Sequence, residues 1–110
     1  MREEVKIFLS NYVDAFKVLN VEIHSLILFG SQARGTATIS SDIDIAVVSK
    51  NALASFVRGQ LRCLGDDINP MLDVNLFFTT PEALENADEE LDTNKYIKEE
   101  GVELWPSYHI

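Results

Sequence analysis

Apolar side chains recur along this sequence with two periods, and the periods predict helices alternating with strands. Spacing of three and four residues predicts an amphipathic helix over residues 2–19. Short apolar runs bounded by turn residues predict strands over residues 21–29 and 43–48. The second run is apolar at nearly every position after its acidic start, which indicates burial on both faces of a sheet. The apolar face of the first helix consists of Val5, Leu9, Tyr12, Phe16 and Leu19.

The remainder of the chain continues the alternation. Ser49 or Asn51 can cap a helix that runs to about Leu64 and stops at Gly65. The order of elements predicts an α/β (α+β) fold, in which helices pack on a small mixed sheet of three to four strands. The chain length suits a single domain over residues 1–110. The later elements are a strand over 72–78, a short helix beginning at Thr80-Pro81, a helix over 88–100 and an edge strand over 102–105 that ends at Pro106.

The stretch between the first two strands carries the clearest chemical signal. It reads GSQARG over residues 30–35 and SDIDI over residues 41–45. Successive side chains of a strand point to opposite faces, so Asp42 and Asp44 share one face. Two adjacent carboxylates repel each other unless a cation neutralises them. The pair therefore predicts a divalent metal site beside a Gly-Ser turn.

A third acid starts the third predicted strand. If that strand lies beside the second, Asp73 can meet Asp42 and Asp44 at one end of the sheet. An acid facing the interior of an apolar strand is costly without a partner, which adds weight to this prediction. Three such acids suggest two-metal phosphoryl or nucleotidyl transfer. Asp66 and Asp67 are alternatives for the third position, but their predicted turn makes them poorer candidates.

These segments together resemble the signature of the DNA polymerase β-like nucleotidyltransferase superfamily. The Gly-Ser pair, the Ala-Arg-Gly continuation, the ten-residue gap and the Asp-x-Asp motif all coincide, whereas an isolated Asp-x-Asp would be weak evidence. The similarity is good over residues 20–80 and looser at both ends. Within the superfamily the short chain is similar to the minimal nucleotidyltransferases, the MNT-type antitoxins encoded beside HEPN proteins. The resemblance implies a polymerase β palm-like fold.

The resemblance also implies roles for individual residues. Backbone amides around Gly30 and Ser31 would hold the triphosphate of ATP, and Arg34 would reach the phosphates or tie the loop down. Asp42, Asp44 and Asp73 would bind two Mg²⁺ ions, and Asp73 could also accept the proton of the attacking hydroxyl. Family members often carry a basic residue at the position of Gln32, which is a departure that bears on phosphate affinity.

The activity implied by the resemblance is transfer of AMP from ATP to a tyrosine hydroxyl of a partner HEPN toxin, with release of pyrophosphate. The alternative is an antitoxin that neutralises its partner by binding, with little or no catalysis. A third possibility, an antibiotic-modifying enzyme, is disfavoured because the chain has no room for a separate substrate-binding domain. The intact set of acids favours the catalytic hypothesis, since a binding module has no physical reason to keep carboxylates clustered.

Composition and charge narrow the choice of partners. The formal net charge of −9 disfavours direct binding of nucleic acid, although a nucleotide held through metal ions remains possible. A single cysteine, Cys63, excludes an internal disulfide and a cysteine-built zinc site. The apolar runs are too short to span a bilayer. We therefore expect a cytoplasmic protein that forms a hetero-oligomer with a protein partner and has no membrane contact.

Overall fold

The structure is a computed structural model that describes residues 2–19, 22–38, 40–51 and 53–106. It confirms the predicted fold class, because helices pack on a four-stranded mixed sheet. In these residues the elements are α1 (Glu3–Val18), β1 (Ser25–Phe29), α2 (Gly30–Arg34), β2 (Ile43–Val48), α3 (Ser55–Ile68), β3 (Val74–Thr79), α4 (Pro81–Glu85), α5 (Thr93–Glu100) and β4 (Val102–Trp105).

The strands lie in the order β3-β2-β1-β4. β1 pairs antiparallel with β2 and with β4, while β2 and β3 are parallel and are connected through α3. Parallel neighbours begin at the same edge of a sheet, and an antiparallel neighbour ends there. The starts of β2 and β3 therefore meet the end of β1, as the sequence-based prediction of a site at one end of the sheet requires.

One face of the sheet forms the hydrophobic core with α1 and α3. The interior includes Tyr12, whose hydroxyl donates a hydrogen bond to the Leu61 carbonyl oxygen at 3.1 Å and joins the two helices. Burial raises the pKa of the Tyr12 hydroxyl, since the phenolate would be poorly solvated there. From the sheet, the buried side chains on this face are Leu26, Leu28, Ile43, Ile45 and Val47.

Gly65 does not end α3, contrary to the sequence-based prediction. The helix begins at Ser55 and continues through Gly65 to Ile68. Gly65 is buried, and a Cβ atom at this position would lie 3.4 Å from Cγ2 of Val74. The glycine thus allows close packing of α3 against β3. As a consequence, Asp66 and Asp67 lie on a helix and are exposed, whereas the sequence suggested a turn.

Local hydrogen bonds set the ends of the last helices. Thr80 Oγ1 accepts a hydrogen bond from the Ala83 amide at 3.1 Å, which confirms the predicted threonine cap of α4. Asp92 Oδ1 accepts from the Asn94 amide at 2.9 Å, and this cap starts α5 five residues later than predicted. Side-chain capping by Asp92 therefore overrides the helical pattern of the residues before it. Within the described ranges, no helix has the length and apolar character needed to cross a membrane.

Candidate active site

The backbone brings the predicted acids to one edge of the sheet. In the strand pairing, Asp44 lies opposite Phe29 of β1 on one side and Asn75 of β3 on the other. Immediately before this row, the Ile43 amide donates a hydrogen bond to the Asp73 carbonyl oxygen at 2.8 Å. The backbone segments that carry the three predicted acids therefore lie side by side, at the edge of the sheet where β1 ends and α2 begins.

The side chains of Asp42 and Asp44 converge on one amide group. Asn75 Nδ2 donates to Asp42 Oδ2 at 2.9 Å and to Asp44 Oδ1 at 3.3 Å. Asp42 is exposed and Asp44 is half-buried, so the pair lies at the protein surface. Carboxylate oxygens are the ligands that Mg²⁺ prefers, and two carboxylates that share one amide hydrogen-bond donor therefore fit a divalent cation.

Asp73 occupies a different setting from the one expected. It is exposed and precedes β3, so the argument from the cost of burying its carboxylate was wrong. Across the described ranges, no three His, Cys, Asp or Glu side chains are grouped in a way that could hold a metal ion. The structure thus connects two of the three predicted acids, Asp42 and Asp44, through the shared amide of Asn75. The assignment of Asp73 as the third ligand stays a prediction.

Gly30 couples the Gly-Ser pair to the Asp-x-Asp motif. Its φ of +73° is a backbone conformation that residues with a Cβ rarely adopt. A Cβ atom at this position would overlap with Oδ2 of Asp44. The carboxylate therefore occupies the space that glycine leaves. This contact explains physically why the two motifs occur together in one sequence.

The segment after Gly30 is a short helix rather than the predicted turn. α2 ends at Arg34 and is followed by Gly35, whose φ is +76°, and the Thr36 amide donates to the Ser31 carbonyl oxygen at 3.0 Å. Further on, Ser41 Oγ accepts from the Thr38 amide at 2.8 Å and fixes the approach to the acids. Ser31 lies half-buried in the first turn of α2, and its predicted contact with a triphosphate is not tested by this geometry.

Comparison of the sequence with protein-family models identifies the family of this chain. The family model for "Polymerase beta, Nucleotidyltransferase" matches residues 11–101. The chain belongs to this family. Its enzyme class, nucleotidyltransferase, is thereby confirmed. A search of curated proteins found no match.

Two solved structures resemble this nucleotidyltransferase domain. A "toxin-antitoxin with AMP-PNP" is 28% identical, with a TM-score of 0.63, and the match covers 86% of this chain and 71% of that chain. A mutant "toxin-antitoxin MntA-HpeT" is 22% identical, also with a TM-score of 0.63, and the match covers 88% of this chain and 71% of that one. At that identity the second structure supports the fold alone.

Arg34 of this nucleotidyltransferase has an acidic partner. Its Nη1 lies 3.2 Å from Oε2 of Glu100, so the last residue of α2 is joined to the last residue of α5. The side chains are 47% and 36% exposed, respectively. Exposed ion pairs contribute at most about 1 kcal/mol, and the guanidinium can exchange this partner for another anion at little cost. The sequence left two roles open for Arg34, contact with the phosphates and tethering of the loop. The contact with Glu100 corresponds to tethering.

Variants of this ion pair separate the two roles of Arg34. If Arg34 contacts phosphates, Arg34→Ala should weaken ATP binding about tenfold, since charge-assisted hydrogen bonds would be lost. Glu100→Gln should leave ATP binding unchanged or tighten it, because it frees the guanidinium. Both variants should keep the free energy of unfolding within about 1 kcal/mol. Fluorescence titration with a labelled ATP analogue measures the first effect, and equal weakening by both variants would indicate that Arg34 acts only as a tether.

Gln32 is buried in α2, with 3% of its surface exposed, and among the described residues its Nε2 atom has no hydrogen-bond partner. The side chain is therefore withdrawn from the surface on which phosphates would bind. The departure from the basic residue common in the family is accommodated by burial.

Sequence reasoning missed two features of the site. It gave no role to Asn75, although the parallel pairing of β2 with β3 puts Asn75 beside Asp44. It also missed the edge-to-face contact between Phe29 and Phe77, whose ring centroids are 6.4 Å apart. Period-2 alternation along β3 was the available signal for both, since Asn75 and Phe77 share a face. The aromatic pair forms an apolar border next to Asp44.

A groove of 380 Å³ lies elsewhere, between β1 and the helices α4 and α5. Its lining includes His24, Ile27, Leu84 and Ile97 and none of the predicted site residues. Nucleotidyl transfer needs carboxylates that can hold cations, and the groove offers Glu85 and Glu103 without the paired geometry of Asp42 and Asp44. The surface at the start of β2 is therefore the better candidate for the active site.

Proposed function

We propose that this protein is a Mg²⁺-dependent nucleotidyltransferase that transfers AMP from ATP to a hydroxyl of a partner toxin and so acts as an antitoxin. The observation that carries the proposal is the convergence of Asp42 and Asp44 above Gly30, at the edge of a sheet of this family's fold. Support for the nucleotide and for the partner comes from the neighbour described as a toxin-antitoxin with AMP-PNP, an analogue of ATP. We infer that the partner is a HEPN protein and that the acceptor is a tyrosine, as the sequence resemblance implies.

The proposal gives each residue of the site a separate role. Asp42 and Asp44 would hold two Mg²⁺ ions, together with Asp73 as the proposed third carboxylate. When bound, the ions neutralise phosphate charge and favour departure of pyrophosphate. Amides around Gly30 and Ser31 bind the triphosphate, with Arg34 within reach of the same loop.

The proposed transfer of AMP needs no reactant other than ATP and the acceptor hydroxyl. The acceptor oxygen forms a bond to the α-phosphorus of ATP, and the bond from that phosphorus to the pyrophosphate oxygen breaks. The hydroxyl proton passes to the carboxylate of Asp73, which is exposed and can release it to water. The products are an AMP ester of the acceptor and pyrophosphate.

The setting of the acids favours a macromolecular acceptor. Asp42 is exposed and Asp44 half-buried, so a hydroxyl on another protein can approach them from solvent. The net charge of −9 disfavours a nucleic acid in this position and suits a partner with a basic surface. Such a pair would form a hetero-oligomer in the cytoplasm, where ATP is available.

The decisive experiment is label transfer to the protein encoded by the neighbouring gene. Incubation with Mg²⁺ and ATP labelled at the α-phosphate should label that protein, whereas ATP labelled at the γ-phosphate should not. The double variant Asp42→Ala plus Asp44→Ala should give no label. Absence of label with the unaltered protein, or equal labelling with the double variant, would refute the proposal. Mass spectrometry of the labelled peptide identifies the residue modified.

The same double variant tests the alternative, neutralisation by binding. If occlusion of the partner is sufficient, the variant should still form the complex without ATP and still suppress toxicity in cells. If AMP transfer is required, the complex can form, but toxicity should return. Co-purification and a growth assay distinguish these outcomes.

A further inference from the structure

The contacts of Asn75 identify a residue of the site beyond the predicted acids. One amide nitrogen donates to both carboxylates, at 2.9 Å to Asp42 and at 3.3 Å to Asp44. Asn75 is exposed and is the strand partner of Asp44 in the parallel pairing of β2 with β3. The amide thus lies between the two groups that would otherwise repel each other most strongly. Hydrogen bonds to charged acceptors are about twice as strong as those between neutral groups, and the 2.9 Å bond to Asp42 is the shorter of the two.

An asparagine side chain carries a donor and an acceptor at nearly the same distance from Cβ. Rotation of the amide by half a turn would exchange Nδ2 for Oδ1. The oxygen would then face the space shared by Asp42 and Asp44, which is where a cation bound by both must lie. Amide carbonyl oxygens are ordinary ligands of hard divalent cations.

We propose that Asn75 is a ligand of the cation site in addition to the carboxylates of Asp42, Asp44 and Asp73. In the structure its Nδ2 bridges Asp42 and Asp44, and with a divalent cation bound its Oδ1 would serve as a neutral ligand. This inference rests on the proposed function, because it takes a divalent cation as the site's natural occupant. Asn75 would thus add a neutral ligand to the carboxylates, and both Asn75 and Asp73, which precedes β3, are exposed at this edge of the sheet.

The test is a titration of the purified protein with Mn²⁺, followed by electron paramagnetic resonance of the free ion. Asn75→Ala should raise the dissociation constant for Mn²⁺ about tenfold, which is typical when a residue that supports a metal site is lost. Asn75→Asp should lower it by a similar factor, because a further carboxylate joins the site. In the absence of metal, Asn75→Asp should also lower the melting temperature through repulsion, and Mn²⁺ should restore it. Asn11→Asp adds the same charge on an exposed position of α1 and should change neither quantity.

The outcomes of these titrations distinguish a failure of the inference about Asn75 from a failure of the proposed function. Equal Mn²⁺ affinity in the unaltered protein and in Asn75→Ala would overturn the role of Asn75 while leaving the proposed function intact. The same holds if Asp73→Asn weakens binding and Asn75→Ala does not, since the three carboxylates alone would then hold the cation. Failure of the unaltered protein to bind Mn²⁺, with or without ATP, would count against the proposed function itself. Should Asn75→Ala fail to fold, the opposite shift expected for Asn75→Asp still decides the question.

Discussion

Replacing Asp44 by asparagine should lower nucleotidyl transfer at least about 100-fold and leave the protein folded. The substitution keeps the shape of the side chain and removes the charge that a cation requires, and loss of one preorganised electrostatic group in an active site costs about this much. Stability should not fall, because the change removes repulsion between Asp42 and Asp44, whose oxygens share one amide donor. The rate of label transfer and urea-induced unfolding measure the two effects separately.

The matched control for this variant is Asp66→Asn. Asp66 is an exposed carboxylate on α3, which packs against the opposite face of the sheet. Its removal changes the net charge by the same amount and should leave transfer unaffected. If Asp44→Asn retained more than about a tenth of the transfer rate, the carboxylate would be dispensable, and the surface at the start of β2 would not be the catalytic one.

Local chemistry explains why much of this site was predictable from sequence. The bounds of β2 follow from an apolar run, and the shared face of Asp42 and Asp44 follows from the period of a strand alone. The threonine-proline start of α4 and the end of α5 before Gly101 are likewise local signals. These features depend on neighbouring residues in the chain, so a single sequence contains the information needed.

The features that were not predicted depend on contacts between distant segments. Gly65 resembles a helix stop, yet its missing side chain serves the packing of α3 against Val74. Asp73 resembles a buried acid, yet β3 begins only at the next residue, Val74, and Asp73 is exposed. Asn75 acquires its contacts only through the register of β3 with β2. Such relations require the sheet order, which periodicity along the chain does not encode.

The contact between Gly30 and Asp44 yields a second strong prediction. Gly30→Ala should destabilise the protein by about 1–2 kcal/mol for the left-handed backbone alone. It should destabilise it further because the new methyl group occupies the position of the Asp44 carboxylate. Since that carboxylate must move, transfer should fall toward the level of Asp44→Asn. Urea unfolding gives the free energy, and the label-transfer rate gives the loss of activity.

Gly35→Ala is the matched control, because Gly35 has nearly the same φ and an added Cβ would meet no atom within 4 Å in the described part of the chain, its two chain neighbours aside. It should show the backbone cost of about 1–2 kcal/mol and retain transfer. A double-mutant cycle sharpens the comparison further. Against an Asp44→Ala background, Gly30→Ala should cost no more than Gly35→Ala, because the methyl group then has space. If Gly30→Ala were equally costly in both backgrounds, the two motifs would be joined by backbone strain alone, and the carboxylate would have no part in the requirement for glycine.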